Sequence, residues 1–247
     1  MAKSRYLARA PITEALIDIR VQAGDNVTTE TFEPLRSQLS DAYPTAVVIK
    51  SGLAEFRFDN GMLQPVSAQT DQGLMFKSPD ERTLAQFRLN GFTLNRLAPY
   101  TQWESIFPEA LRLWALYASI ARPIAAVRLA ARYINRLQFP LPVSDLTTYL
   151  TAPPRVPEGV PQFLRGFLTR LIIHDPNHDH SAIVTQALEP SPADLEHLVV
   201  LLDIDAYREV ELQPDDDRIQ MVLNALRQFK NDIFFSSITD SAAELFG

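Results

Sequence analysis

Cysteine is absent from the 247 residues, which removes disulfide scaffolds, thiolate zinc sites, iron–sulfur clusters and a cysteine nucleophile together. Glycine is scarce, at 8 residues, and no P-loop, dinucleotide fingerprint or Gly-x-Ser-x-Gly elbow is present. No motif therefore implies a cofactor. No apolar run approaches a membrane span, and MAKSRYLARAPITEALIDIR at the N-terminus has neither an unbroken apolar core nor a small-residue cleavage site. The expectation is a cytoplasmic chain with no membrane partner. Excess positive charge is missing as well. With 23 Lys and Arg against 30 Asp and Glu, the net charge of −7 opposes non-specific binding to nucleic acid, unless a local basic patch overrides it.

What is present is the material of a packed domain, with 46% apolar and 21% charged residues. Eighteen prolines keep the elements short. ALIDIRVQ (15–22) alternates Ile17, Ile19 and Val21 with Leu16, Asp18 and Arg20, the period of a strand with one face on a core. TTETFEPLRSQLSDAYP, with threonines to cap it and Pro34 near its first turn, predicts a short helix. From TAVVIKSG to FTLNRL the chain reads as an antiparallel meander punctuated by Asp-Asn-Gly and Ser-Pro-Asp turns.

A central helix follows. Thr101 and Glu104 are spaced as a capping box, Phe107, Leu111, Trp114 and Ala118 lie on one stripe, and Arg122-Pro123 ends it, with Pro108 predicting a separate or kinked first turn. RLAARYINRLQF (128–139) is a strand, FLRGFLTRLIIHDPNHDHSAIVTQALEP a hairpin, and HLVVLLDIDAYREVEL a long strand. In the last helix Ile219, Val222, Leu223, Leu226 and Phe229 form the apolar stripe, and Lys230-Asn231 reads as its end.

This order implies an α+β fold, a largely antiparallel sheet with helices packed on one face. We divide it into an α+β half at 1–140, a proline-rich connection at 141–162 and a hairpin, strand and helix at 163–247, forming one compact unit. LeuAsnArgLeu at 94–97 is echoed by IleAsnArgLeu at 134–137. That one echo admits two related halves without requiring them.

APITEALIDIR (10–20), RYINRLQFP (132–140) and LNALRQFKNDIFFSSITDSAAELF (223–246), in this order and spacing, resemble a sporadically distributed bacterial and archaeal family. The resemblance spans nearly the whole chain. It transfers no catalytic residue, and the family's patchy distribution implies a mobile, defence or toxin–antitoxin type of module.

Arg128, Arg132 and Arg136 fall on one face of their strand about 13 Å apart, since each strand residue rises about 3.3 Å. An extended anion or an acidic partner could lie along such a ladder, with Arg88, Arg96 and Arg20 widening it. Tyr133 and Asn135 shape the opposite face. The competing reading is pairing within the sheet, because Asp18, Asp203, Asp205 and Glu209 fall on strand faces at the same period.

Asp203 and Asp205 also admit a metal-dependent phosphoryl-transfer or hydrolase site. His174, His178 and His180 read as a solvated hairpin tip rather than metal ligands. Phe234, Phe235, Ile238 and Phe246 make an apolar C-terminal segment, suited to core packing or to a protein partner or homodimer. The leading expectation is a non-enzymatic binding or accessory protein that uses the basic sheet surface and this apolar segment to meet a protein partner or second copy, with nucleic acid as the other candidate partner.

Overall fold

The computed structural model describes the chain except residues 4, 60–61, 101 and 190–195 and the side chains of 52–69. Among the described residues nine strands form one sheet: β1 (Ile12–Gln22), β2 (Thr45–Asp59), β3 (Met62–Lys77), β4 (Thr83–Arg88), β5 (Gly91–Leu97), β6 (Ala125–Pro140), β7 (Leu168–Asp175), β8 (His180–Leu188) and β9 (His197–Leu212). The helices are α1 (Leu35–Gln38), α2 (Trp103–Ala121), α3 (Arg218–Ser237) and α4 (Asp240–Glu244). Every strand pairing is antiparallel. The spatial order is β2-β3-β4-β5-β1-β6-β9-β8-β7. The α+β expectation stands. Among the described residues, no helix is long and apolar enough to cross a membrane.

The order has a simple logic. β1 opens the chain, and the meander β2 to β5 returns to pair with it. β6 opens the second part, and β7 to β9 return likewise, with β1 and β6 joined at the centre. The two parts therefore share a topology, and β6, placed in the first half by the sequence reading, begins the second. The four-residue echo falls on β5 and β6, which hold different positions in the two parts, so it does not mark their correspondence.

One face carries Ile17 and Ile19 of β1, Phe92 and Leu94 of β5, Leu129, Ala131 and Tyr133 of β6, and Leu202 and Ile204 of β9, all buried. The register sets these side by side: Ile19 faces both Phe92 and Leu129, and Tyr133 faces Ile204. α2 and α3 cover this face, α2 against β5 and α3 against β6, β8 and β9. Phe32, Phe87, Phe92 and Tyr117 form an aromatic cluster beneath α2, with Phe32 and Tyr117 stacked at 5.7 Å. Trp103 Nε1 donates to Asn224 Oδ1 at 2.9 Å and ties α2 to α3. Gly91 (φ +151°) is required where β5 meets β1, since a Cβ there would lie 2.3 Å from the Ile19 carbonyl oxygen.

Local departures have local causes. The first expected helix is a 3-10 turn at Thr29–Phe32 followed by the single turn of α1, with Pro34 at the N-cap. α2 is continuous through Pro108, five residues after its start, and begins after Gln102. Its expected capping residue Thr101, and the Asn60-Gly61 part of the expected Asp-Asn-Gly turn, lie outside the described residues. α3 does not end at Lys230-Asn231; it runs two further turns to Ser237, because Lys230 faces inward and the stripe resumes at Phe234 and Phe235.

Candidate functional site

The opposite face of the sheet carries the arginine ladder. Alternation on β6 turns Arg128, Arg132 and Arg136 away from the helices, and Asp18 on β1 and Asp203 and Asp205 on β9 turn the same way. Asp18 is the hub. Its carboxylate accepts from Arg88 Nη2 at 2.7 Å, Arg20 Nε at 3.0 Å, Arg128 Nη1 at 3.5 Å and Thr93 Oγ1 at 2.6 Å.

Arg128 also donates to Asp205 Oδ2 at 2.8 Å and lies 4.4 Å from the centre of the Tyr207 ring. Arg132 grips Asp203 with both arms of its guanidinium, at 2.9 and 2.6 Å. Arg136 donates to Glu189 Oε2 at 2.8 Å. The ladder is thus neutralised within the fold: Arg128 and Arg132 by carboxylates on the neighbouring strands β1 and β9, and Arg136 by Glu189 just beyond β8.

Electrostatics follow burial. The Arg88 guanidinium is pushed below its ordinary value, chiefly by desolvation, which outweighs the pull of Asp18. Burial likewise raises the Asp205 carboxyl, against the opposing charge of Arg128. Arg132, hydrogen-bonded to Asp203, is raised. Arg20 and Arg88 share this face and join the network through Asp18. Arg96 does not: it lies opposite Ala15, a helix-face residue, and donates to Thr83 Oγ1 at 2.9 Å and Asp80 Oδ2 at 3.4 Å. On β5 the even-numbered positions face the helices, so a one-residue difference in parity puts Arg96 on the wrong side for the ladder.

Asp203 and Asp205 are held by different arginines, and among the described residues no three histidine or acidic side chains converge on a point that could hold a metal. His178 Nδ1 lies 2.7 Å from Asp175 Oδ2 at the exposed hairpin turn, and His174, exposed on β7, places Nδ1 3.1 Å from Ser181 Oγ across the hairpin. His180 departs from the solvated reading. It opens β8 facing α3, is buried, and sits 5.8 Å from the Phe229 ring, where desolvation lowers its pKa. Phe234, Phe235, Ile238 and Phe246 are buried at 6, 8, 0 and 8% exposure, so in this chain they complete the core and offer no free interface. Packing of α3 and the segment after it onto the sheet accounts for their position.

A second site lies on the helix side and was missed by sequence reasoning. A cavity of about 340 Å³ opens between the N-terminal segment, β6, the start of α2 and α3. Lys230 lines it with only 6% of the residue exposed. Among the described residues its Nζ has no hydrogen-bond acceptor; it stands 3.6 Å from the centre of the Tyr133 ring. Burial first, and the Arg227 charge second, bring its pKa down to about 7.

Tyr133 hydroxyl meets that of Tyr100 at 2.9 Å, and burial pushes both phenols up. Arg227 is 3.1 Å from Glu104 and lies 5.9 Å from the Trp103 ring centre. The signal available in the sequence was spacing alone: Lys230 continues Ile219, Leu223 and Leu226 at intervals that keep one helical face.

No protein-family model and no curated protein matches the chain. The family resemblance of the three segments therefore stands as a proposal. All three contribute to the wall of the Lys230 cavity, through Ala10 to Ile12, Tyr133, and Arg227 to Phe235.

Proposed function

We propose that this chain is a binding or accessory protein that works through protein–protein contact at the edge strand β7, pairing there with a second copy of itself. The observation that carries this reading is the composition of that edge. β7 ends the sheet, and among the described residues no second strand pairs with it. Leu168, Leu171 and Ile172 are 72, 60 and 62% exposed, and Phe163 just before the strand is 97% exposed. A free edge with apolar side chains on both faces is a surface that monomeric proteins ordinarily protect.

The strand also suits its own copy. Antiparallel pairing about a two-fold axis requires facing residues to share a sheet face, so the axis passes at Leu171 or at Ile172. With the axis at Leu171, Arg170 faces Ile172 of the second copy. With the axis at Ile172, Arg170 faces His174. In neither register does an arginine oppose an arginine or a carboxylate a carboxylate. On the helix side, Leu171 and Ile173 also wall a cavity of about 620 Å³ against Phe229 and Ile233, so this side of the edge is underpacked in one copy.

The nucleic-acid reading has less support. Each ladder arginine already has a carboxylate partner, and releasing it for a phosphate would leave that carboxylate partly buried and unpaired. Analytical ultracentrifugation tests the proposal. The expected outcome is a concentration-dependent dimer in the micromolar range that Leu171→Lys combined with Ile172→Lys converts to a folded monomer. A wild-type chain that stays monomeric throughout, or a dimer unmoved by the double variant, overturns it.

A further inference from the structure

We propose that the cavity beneath α3 is a binding site for a small carbonyl compound, an aldehyde or ketone with an apolar body, which Lys230 holds as an imine. Three observations meet there. The first is shape: about 340 Å³, room for a small ligand, opens beside a side chain that is otherwise enclosed. The second is an amine without an acceptor. A buried ammonium is costly unless paired, and among the described residues Lys230 Nζ meets the face of Tyr133 and no hydrogen-bond acceptor, so a far larger share of it than of an ordinary lysine is the uncharged, nucleophilic amine.

The third is a proton carrier. The Tyr100 and Tyr133 hydroxyls, hydrogen-bonded to each other, line the same cavity and are kept protonated by burial. Trp103, Ile12 and Phe234 supply apolar wall for the ligand's body. Among the described residues, the charged and titratable groups that line the cavity with Lys230 are Arg5 and Tyr6 from the N-terminal segment, Tyr100 and Glu104 from the start of α2 and the residues before it, Tyr133 from β6 and Arg227 from α3. Glu104, the one carboxylate among the described lining residues, is engaged by Arg227 and not by Lys230.

The chemistry balances without an oxidant or reductant. The Nζ lone pair attacks the carbonyl carbon and forms the C–N bond, while the π pair moves to oxygen, which takes a proton. The carbinolamine then loses its oxygen as water, the second N–H proton departs, and the C=N bond remains. The site is separate from the β7 edge, and this inference does not depend on the reading made there.

The chain has four lysines, at 3, 50, 77 and 230, so the outcome maps onto few positions. The full chain is treated with butanal and sodium cyanoborohydride at pH 7, and each lysine is followed by peptide mass spectrometry. Lys230 is expected to be alkylated roughly ten-fold or more faster than exposed Lys3 and Lys50, because the cavity holds the aldehyde beside it and its lowered pKa leaves much of it uncharged at that pH. Its rate should saturate with butanal and fall below pH 7, while the exposed lysines show no saturation. Tyr133→Phe, which keeps the ring and removes the hydroxyl, should slow Lys230 alone. Alkylation of Lys230 no faster than that of Lys3 and Lys50, or without saturation, overturns the proposal. So does saturable labelling that persists elsewhere in a folded Lys230→Gln variant.

Discussion

Arg128 and Lys230 stand on opposite faces of the same sheet and are handled in opposite ways. Arg128 has two carboxylates, an aromatic ring and access to solvent on an uncovered face. Lys230 points inward from α3 onto the covered face, against a ring and, among the described residues, with no carboxylate partner. The comparison teaches that a row of like charges seen in a sequence says little about reactivity. On an open sheet face, neighbouring strands readily supply the counter-charges; a lone cation on the covered face has no such supply, and its protonation is set by burial instead.

The sharpest way to expose the difference is pH. The unfolded lysine titrates near its ordinary value and the folded one near 7, so between these values the unfolded chain holds more protons and stability rises with pH. The rise expected from Lys230 is on the order of a few kcal/mol. In urea unfolding from pH 7 to 10, Lys230→Met should flatten this slope and be the more stable protein at pH 7. An unchanged slope in the variant would show that Lys230 is not the source.

Next in size is the hub of the open face. Asp18→Ala leaves Arg20, Arg88 and Arg128 crowded without their shared carboxylate and should cost about 3 kcal/mol, read by the same unfolding experiment at pH 7. Arg132→Ala removes a pair whose arginine side chain is 42% exposed, so the loss should be smaller, about 0.5–1 kcal/mol. Smallest of all is the expected effect on nucleic-acid binding. Replacing Arg128, Arg132 and Arg136 together with glutamine should leave the affinity for short DNA and RNA at low salt essentially unchanged, as fluorescence anisotropy would record. A marked loss would restore the ladder as a phosphate-binding surface.

Much of this architecture was legible in the residues. The alternation in ALIDIRVQ and LLDIDAYRE identified β1 and β9 and put Asp18, Asp203 and Asp205 at the ladder's period, because strand parity follows from sequence once a strand is recognised. Parity between strands was harder. Whether Arg88 or Arg96 joins the ladder depends on register across β4, β5 and β1, which only the folded sheet defines. The C-terminal aromatics were identifiable as apolar, but whether they face the core or a partner depends on what packs over them. Lys230 was read as a helix end because a lysine beside an asparagine ordinarily faces water. Its burial depends on Tyr133, nearly a hundred residues earlier, and on the N-terminal segment closing the cavity, neither of which a local pattern can convey.

The placement of β1 at the centre of the sheet carries a cost in time. Its two partners, β5 and β6, come from far along the chain, so the backbone groups of Ile12–Gln22 have no native partner while β2 to β4 are being made, and the second partner, β6, follows only after α2. During synthesis the apolar side of β1, with Ile17 and Ile19, must wait in water or against a chaperone. The strand that holds the finished molecule together is thus the segment most exposed to mispairing while the molecule is being built.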